Sequence, residues 1–417
     1  MTTPRIHQLA NGVRIICDPM PGLETLAVSV VAGRGSRWES ETQSGWAHLL
    51  EHMVFKGAGD RSARAIVEVI EAEGGQINAA TGYERTSFQV RALKGGVPLA
   101  LDVLSDLVLR PTLDPEELRR EIGVVEQEIA EAADTPDDRV FDLAQGRAFA
   151  GQSLGRPILG SPQSIGAADK GGLAAFRAGL YSPDSLVISA AGAVDEDELL
   201  ARAEAAFGAA VATPLAEAAP ATFIGGSVTE ARRLEQCHIV LLLPGVGARD
   251  EDYFAFRIFA EALGGGMSSR LFQEAREVLG LAYNIDAYSE SYADTGVLGV
   301  YAGTAAGDAV KTVQVCAEQI RALIAGPAPG ELERCKAQLK AHLFMARESP
   351  LARAEQAAGQ MLLFGRLYTA AELADAVDSV TPGALRRLGE RLLAPGLSTA
   401  AVLGAKGALK AAEAFRI

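Results

Sequence analysis

Short apolar runs alternate with amphipathic stretches along the first half of the chain, and this alternation predicts a mixture of strands and helices. Residues 13–17 and 25–32 are short, apolar and rich in β-branched side chains, which predicts two strands. Residues 44–55 and 62–73 carry apolar side chains at helical spacing, and glycines follow both segments. Residues 76–92 then predict a hairpin, so this region combines helices with paired strands.

A second group of helices is expected further along the chain. Residues 95–108 have a helical pattern, and Asp114 with Pro115 fits the start of another helix. This long helix is predicted to end near residue 133, because residues 134–138, which include Pro136, break the helical pattern. Residues 187–193 form a continuous apolar run of strand length.

The middle of the chain has the composition of a linker. Residues 211–226 are rich in Ala, Pro, Thr and Gly and carry little charge. We therefore predict an N-terminal domain over residues 1–212, a linker over 213–226 and a C-terminal domain over 227–417.

The two predicted domains show the same order of features. In the first, a strand and a Gly-rich turn precede a helix with Glu51, and a later strand carries Asn78. In the second, the corresponding helix carries Glu261 and the later strand carries Asn284. The parallel predicts a duplicated domain.

Composition narrows the class of protein. The 417 residues include 39 basic and 53 acidic side chains, and the net charge of −14 argues against a nucleic-acid partner. The longest apolar runs are far shorter than the ~18 residues that span a bilayer, so we expect no membrane span. Four scattered cysteines indicate buried thiols rather than a disulfide framework. With no visible signal peptide, the expected location is the cytoplasm.

The most informative chemistry is the sequence HLLEH at residues 48–52. On a helix, His48 and His52 lie one turn apart on one face, and Glu51 borders that face. Two imidazoles in this arrangement can bind one zinc ion, and a carboxylate beside it can accept a proton from water. The second domain has Ile258 and Ala262 at the corresponding positions, so we expect a metal in the first domain alone.

A catalytic zinc site needs a third protein ligand. The long helix after Pro115 is rich in glutamate, and Glu121 and Glu128 share one of its faces. An apolar stripe beside that face makes an inward carboxylate plausible. Spacing alone leaves the choice open among Glu121, Glu126 and Glu128.

Residues 35–57 (GSRWESETQSGWAHLLEHMVFKG) resemble the inverzincin signature of the pitrilysin family of zinc peptidases. The similarity is to the branch that contains the mitochondrial processing peptidase and small bacterial homologues. Further matching segments are residues 74–81 (GGQINAAT), 124–129 (VVEQEI), 135–142 (TPDDRVFD) and 264–272 (GGGMSSRLF).

The resemblance implies an α+β fold with two homologous domains, each with helices packed on a mostly antiparallel sheet. It also implies a metal site. His48, His52 and Glu128 would bind one Zn²⁺ per chain, Glu51 would be the general base, and Glu121 would be a supporting acid.

The resemblance further implies substrate-binding residues in both domains. An Arg/Tyr pair of the second domain matches Arg276 and Tyr283, which can hydrogen-bond a peptide and a developing oxyanion. Asn78 and Ala79 match an edge strand on which a peptide pairs as an added strand.

We therefore expect a zinc-dependent metalloendopeptidase that hydrolyses unfolded peptides. Relatives of this length work as dimers, and because this chain carries both the metal motif and the Arg/Tyr pair, a homodimer is the simpler expectation. A heterodimer with a related chain is the other possibility. The alternative function is a non-catalytic or hetero-oligomeric core subunit that needs a partner chain for activity. Such subunits usually lose the metal site, which is intact here.

Overall fold

The computed structural model describes residues 4–417, and residues 1–3 of the predicted N-terminal domain lie outside the described part. Its thirteen strands are β1 (Arg5–Gln8), β2 (Arg14–Pro19), β3 (Thr25–Ala32), β4 (Gly57–Ala58), β5 (Arg61–Ser62), β6 (Gln76–Thr81), β7 (Thr86–Leu93), β8 (Leu186–Gly192), β9 (Gly226–Ala231), β10 (Gln236–Gly245), β11 (Ala282–Ser291), β12 (Gly296–Ala305) and β13 (Thr399–Gly404), all within residues 4–417.

The α-helices of the described chain are α1 (Trp46–Val54), α2 (Ala63–Ala72), α3 (Val97–Leu109), α4 (Pro115–Asp134), α5 (Pro136–Ala148), α6 (Pro162–Gly166), α7 (Lys170–Leu180), α8 (Glu196–Phe207), α9 (Tyr253–Gly264), α10 (Ala309–Ala325), α11 (Glu331–Ala346), α12 (Pro350–Phe364), α13 (Ala370–Asp378) and α14 (Pro382–Leu393). Short 3₁₀ segments cover Ser36–Trp38, Glu41–Gln43, Ser153–Gly155, Pro183–Ser185 and Lys406–Glu413, and a π-helix covers Phe272–Val278.

The chain divides into two compact units that exchange segments. Unit 1 comprises Met1–Ala130, Pro157–Ala219 and Met345–Leu367. Unit 2 comprises Glu131–Arg156, Pro220–Phe344 and Tyr368–Ile417. Each unit therefore contains one segment from the other half of the sequence. The units are discontinuous in sequence, and the domain boundaries predicted at residues 212 and 226 stay a prediction.

Each unit is built on one sheet. Apart from the extra edge strand β1 of unit 1, the strands of the two sheets follow one another along the chain in the same spatial order. Unit 1 has the order β6-β7-β3-β8-β2-β1, and unit 2 has β11-β12-β10-β13-β9. In both sheets the first three pairings are antiparallel, and the next pairing, β8 with β2 or β13 with β9, is parallel. The matching topology confirms the predicted repeat and the α+β class with mostly antiparallel sheets.

The sheet of unit 1 is covered on both faces. One face packs on a large core to which α1, α3, α7 and α8 contribute buried residues such as Leu49, Leu104 and Phe207. On the other face, a smaller cluster joins the sheet to Ala358 and Met361 of α12. Burial of each large apolar side chain contributes about 1.5–3 kcal/mol.

A buried ion pair reinforces the packing of α12. The guanidinium of Arg353 donates to both carboxylate oxygens of Asp18 at the end of β2, at 2.7 and 2.6 Å. Both side chains are almost fully buried, with 4% exposure each. This contact attaches a segment from the C-terminal half of the sequence to the sheet of unit 1.

In unit 2 the helix from the other sequence half is α5. It packs on β9, β10 and β13, and Phe141 stacks on the ring of Tyr301 at 5.5 Å between ring centroids. The opposite face of this sheet packs on a core that includes Phe256 and Phe259 of α9 and Ile320 of α10.

The cysteines bear out an expectation drawn from composition. Cys17, Cys237, Cys316 and Cys335 are all buried free thiols. Within residues 4–417, every helix is too short or too polar to traverse a lipid bilayer.

Candidate functional site

A buried carboxylate fixes the N-terminus of α1. Glu39 accepts hydrogen bonds from the backbone N–H groups of Gly45 and Ala47, at 2.9 and 2.7 Å. Its charge also complements the positive end of the helix dipole. Gly45 has a φ of +89°, and a Cβ there would lie 2.5 Å from the carbonyl oxygen of Leu159. The entry into α1 therefore requires glycine.

The sequence pattern of α1 separates an apolar face from a polar one. Its fully or nearly fully buried side chains are Trp46, Ala47, Leu49, Leu50, Met53 and Val54. These residues anchor the helix in the core of unit 1, while His48, Glu51 and His52 remain half-buried on the remaining face. Packing thus holds the three polar side chains together.

The two histidines converge on a glutamate of α4. Nε2 of His48 lies 3.7 Å from Oε2 of Glu128, and Nε2 of His52 lies 3.5 Å from the same oxygen. One potential ligand atom from each residue lies within 4.8 Å of the other two. Bonds of about 2.0–2.2 Å in a tetrahedron place ligand atoms about 3.3–3.6 Å apart, and the two separations between histidine and glutamate are close to this range.

The chemistry of this group also fits a metal. Two imidazole nitrogens and one carboxylate oxygen are ligands that zinc accepts, and three protein ligands leave a fourth position for water or substrate. Burial, and after it the neighbouring His52, lowers the pKa of His48 to about 4. His48 is therefore neutral near pH 7, which is the form that binds a metal.

Glu121 lies on the far side of His52. Its Oε2 is 3.1 Å from Nδ1 of His52, and its Oε1 is 2.8 Å from Nζ of Lys56. The side chain is buried, with 6% exposed. A carboxylate that accepts from Nδ1 fixes the tautomer and the ring orientation in which Nε2 can bind a metal.

The geometry separates the three glutamates that spacing left open. Glu128 lies beside Nε2 of both histidines, whereas Glu121 lies beside Nδ1 of His52. Glu126 is exposed and is not part of the potential metal group. The roles that the resemblance implies, a metal ligand for Glu128 and a supporting acid for Glu121, stay predictions.

Glu51 is held by the end of strand β6. The hydroxyl of Thr81 donates to Oε2 of Glu51 at 2.6 Å. Burial raises the pKa of Glu51 above its ordinary value, while hydrogen bonds from Thr81 act in the opposite direction. A buried carboxylate with a raised pKa is suited to accept a proton and release it again.

The remaining site residues of unit 1 lie on β6 itself. This strand forms the edge of its sheet and pairs with β7 alone among the described strands. Asn78 is exposed, and Ala79 is 9% exposed. A cavity of about 800 Å³ adjoins the strand and is lined in part by Phe55, Val67 and Ile77.

Arg276 and Tyr283 lie together in unit 2. Arg276 belongs to the π-helix, and its guanidinium carbon lies 4.6 Å from the ring centre of Phe272 and 4.8 Å from that of Tyr283. Tyr283 is 76% exposed, so its hydroxyl is open to solvent. The guanidinium thus makes cation–π contacts with both rings, which restrict its orientation.

The helix of unit 2 that corresponds to α1 cannot form the same site. Ile258 and Ala262 of α9 are buried in the core of that unit, with 0% and 2% exposure. These two positions therefore offer no ligand atom in unit 2, and the metal site in the first domain alone stays a prediction.

Comparison with known proteins gives the family. A family profile described as "Insulinase (Peptidase family M16)" matches residues 15–162, and "Peptidase M16 inactive domain" matches residues 169–339. An "Uncharacterized zinc protease" of Rickettsia bellii is 33% identical over 407 residues, covering 96% of this chain and 97% of that protein. The chain belongs to peptidase family M16. The "Uncharacterized zinc protease YmxG" of Bacillus subtilis is 36% identical over 372 residues, covering 89% and 91%.

Solved structures share the fold of this M16 chain. A protease from Helicobacter pylori superimposes with a TM-score of 0.88 at 19% identity, covering 96% of this chain and 99% of that one. A chain of complex III2 from Candida albicans, bound to Inz-5, gives a TM-score of 0.85 at 19% identity, covering 99% and 100%. The same fold therefore occurs in a protease and in a chain of complex III2.

Three residues of the site had no role assigned from the sequence. Glu39, Lys56 and Thr81 all fall within the segments that resemble the family. Their contacts are with α1, Glu121 and Glu51, respectively. The only sequence signal for these residues was their presence in the matching segments. Each of their contacts joins two different elements, so the local pattern does not predict it.

Proposed function

We propose that this M16 chain is a zinc-dependent metalloendopeptidase that hydrolyses unfolded peptides. The observation that carries the proposal is the convergence of His48, His52 and Glu128 in unit 1, with Glu51 one residue before His52 on the same helix. A non-catalytic subunit would have no need for a general base beside such a ligand group.

The chain's own residues would divide the work as follows. Zinc, when bound by His48, His52 and Glu128, supplies Lewis acidity for the scissile carbonyl and for water. Glu51 accepts the proton of the attacking water and passes it to the leaving amine. Glu121 holds His52 in the orientation that presents Nε2.

Peptide binding would use the backbone of β6. An edge strand offers unpaired N–H and C=O groups, so an extended peptide can add to the sheet beside Asn78 and Ala79. Backbone pairing requires an unfolded segment, which is why we propose oligopeptides rather than folded proteins. Exposed Tyr283 and the stacked Arg276 are proposed as further hydrogen-bond donors to the substrate.

We further propose a homodimer that acts in the cytoplasm, without a second type of chain. Both the ligand group and the Arg276–Tyr283 pair are present in this one chain, so a related partner need not supply either. Light scattering on the purified chain, combined with the activity assay below, tests this directly. Activity found only after addition of a related chain would support the heterodimer instead.

The test of function is peptide cleavage by the purified chain. A quenched fluorescent peptide should be hydrolysed by the zinc-loaded protein, and a chelator should abolish hydrolysis reversibly. Glu51→Gln should retain zinc and lose about 100-fold or more in kcat, because a general base contributes that much. Cleavage by Glu51→Gln at the parental rate would reject the mechanism.

A further inference from the structure

We propose that Thr81 is a positioning residue that aims the Glu51 carboxylate and couples it to the peptide-binding strand. The inference deepens the proposed peptidase function and rests on it. The Thr81 hydroxyl has one hydrogen to donate, and two acceptors lie nearby. Oε2 of Glu51 is at 2.6 Å and the carbonyl oxygen of Ala47 is at 3.5 Å, so the hydrogen goes to the carboxylate.

The donor is placed by backbone rather than by a mobile loop. Thr81 is the last residue of β6 and pairs with Thr86 of β7. The turn that follows is closed by a hydrogen bond from the N–H of Gly82 to the carbonyl of Arg85, at 2.8 Å. Backbone hydrogen bonds therefore hold the end of β6 in place independently of the Thr81 side chain.

A second set of contacts holds this turn in place. The N–H groups of Ser36 and Arg37 donate to the carbonyls of Gly82 and Tyr83, at 3.1 and 2.9 Å. A Cβ at Gly35 would lie 2.1 Å from the oxygen of Gly82, so the approach is possible only for glycine. Gly35, Ser36 and Arg37 begin the segment that resembles the family, and their role here is to hold this turn in place.

The hydrogen bond does two things for Glu51. A glutamate side chain has three rotatable bonds, and the short hydrogen bond to Oε2 limits the orientations that the carboxylate can adopt. The donor also belongs to the same strand as Asn78 and Ala79, where the peptide is proposed to add. Strand β6 therefore contacts both the proposed peptide and Glu51, the base that is proposed to deprotonate the attacking water.

Thr81→Val is the informative variant. It replaces the hydroxyl by a methyl group of similar size and keeps the β-branched shape that suits a strand. We expect kcat to fall about 10- to 100-fold, because a misaimed catalytic group costs that much. KM should change less than about twofold, and bound zinc should be unchanged, since the hydroxyl donates to Glu51, which is not one of the three potential metal ligands.

Two further variants separate positioning from structure. Thr81→Ser keeps the hydroxyl and should retain kcat within about threefold of the parent. Thr25→Val makes the same substitution at an exposed position of β3 in the same sheet and should leave kcat unchanged. If Thr81→Val loses zinc or unfolds at a lower urea concentration than the parent, the same kinetic test is made with Thr81→Ala. That variant also lacks the hydroxyl but adds no methyl group in its place.

A double substitution gives the decisive comparison. In the Glu51→Gln background, Thr81→Val should lower the residual kcat by less than about twofold, because the base that it positions is gone. Parental kcat in Thr81→Val, with active parent and full zinc, would overturn this proposal alone. Full additivity of the two substitutions would do the same. A zinc-loaded parent that cleaves no peptide would overturn both this proposal and the proposed function.

Discussion

The contacts of Glu121 give a quantitative prediction for metal affinity. The carboxylate spans two donors, Nδ1 of His52 at 3.1 Å and Nζ of Lys56 at 2.8 Å. In Glu121→Gln a single amide oxygen replaces two carboxylate oxygens, and the new NH₂ group must face one of the donors. The variant therefore loses at least one buried hydrogen bond and the charge that stabilises the His52 orientation.

The magnitude follows from the position of Glu121 behind the ligand. Loss of such a partner costs about 10- to 100-fold in metal affinity, which corresponds to about 1.4–2.7 kcal/mol. Lys56→Gln leaves the bond to His52 in place and removes an ion pair whose lysine side chain is 32% exposed. Because the pair is accessible to solvent at its lysine end, we take its contribution as about 1 kcal/mol, so zinc affinity should fall by no more than about fivefold.

The assay is a zinc competition titration against a chromophoric chelator at constant pH. Glu126→Gln is the matched control, because it makes the same substitution on the same helix at an exposed position outside the ligand group. We expect the zinc dissociation constant to rise in the order Glu126→Gln, Lys56→Gln, Glu121→Gln. A dissociation constant for Glu121→Gln within about twofold of the parent would refute the orienting role.

Three further predictions concern other parts of the molecule. Glu128→Gln should purify with much less than one zinc per chain, as measured by atomic absorption, and undiminished zinc would reject it as a ligand. Tyr283→Phe should lower peptide turnover and leave zinc content intact, so unchanged kinetics would remove its substrate role. Arg353→Met leaves Asp18 buried without its partner and should destabilise unit 1 by about 3–5 kcal/mol in urea unfolding. A loss below about 1 kcal/mol would show that the ion pair does not anchor α12.

Local structure could be predicted from the sequence where it depends on neighbouring residues. The helix expected over residues 44–55 is α1 (Trp46–Val54), and the hairpin expected over residues 76–92 is β6 and β7. The long helix expected from residue 115 to about 133 is α4 (Pro115–Asp134). Apolar spacing, glycines and the proline at position 136 define these elements without reference to the rest of the chain.

What the sequence could not give depends on how elements pack. No helix is predicted from the sequence at α5 or α12, and local patterns do not reveal that each covers the sheet of the unit formed mainly by the other half of the chain. Glu121 and Glu128 share a face of α4 in the sequence pattern as well as in the structure. Only the placement of α4 beside α1 distinguishes the oxygen near both Nε2 atoms from the oxygen near Nδ1.

The most direct test of the central claim is a zinc titration of the metal-stripped chain with peptide cleavage followed at each addition. We expect no cleavage without zinc and a linear rise in the cleavage rate that stops at one zinc per chain. Glu51→Gln should bind zinc with the same stoichiometry while its cleavage rate stays about 100-fold or more below that of the parent. Cleavage by the metal-free chain, or no cleavage at saturating zinc, would show that this chain is not a zinc-dependent peptidase.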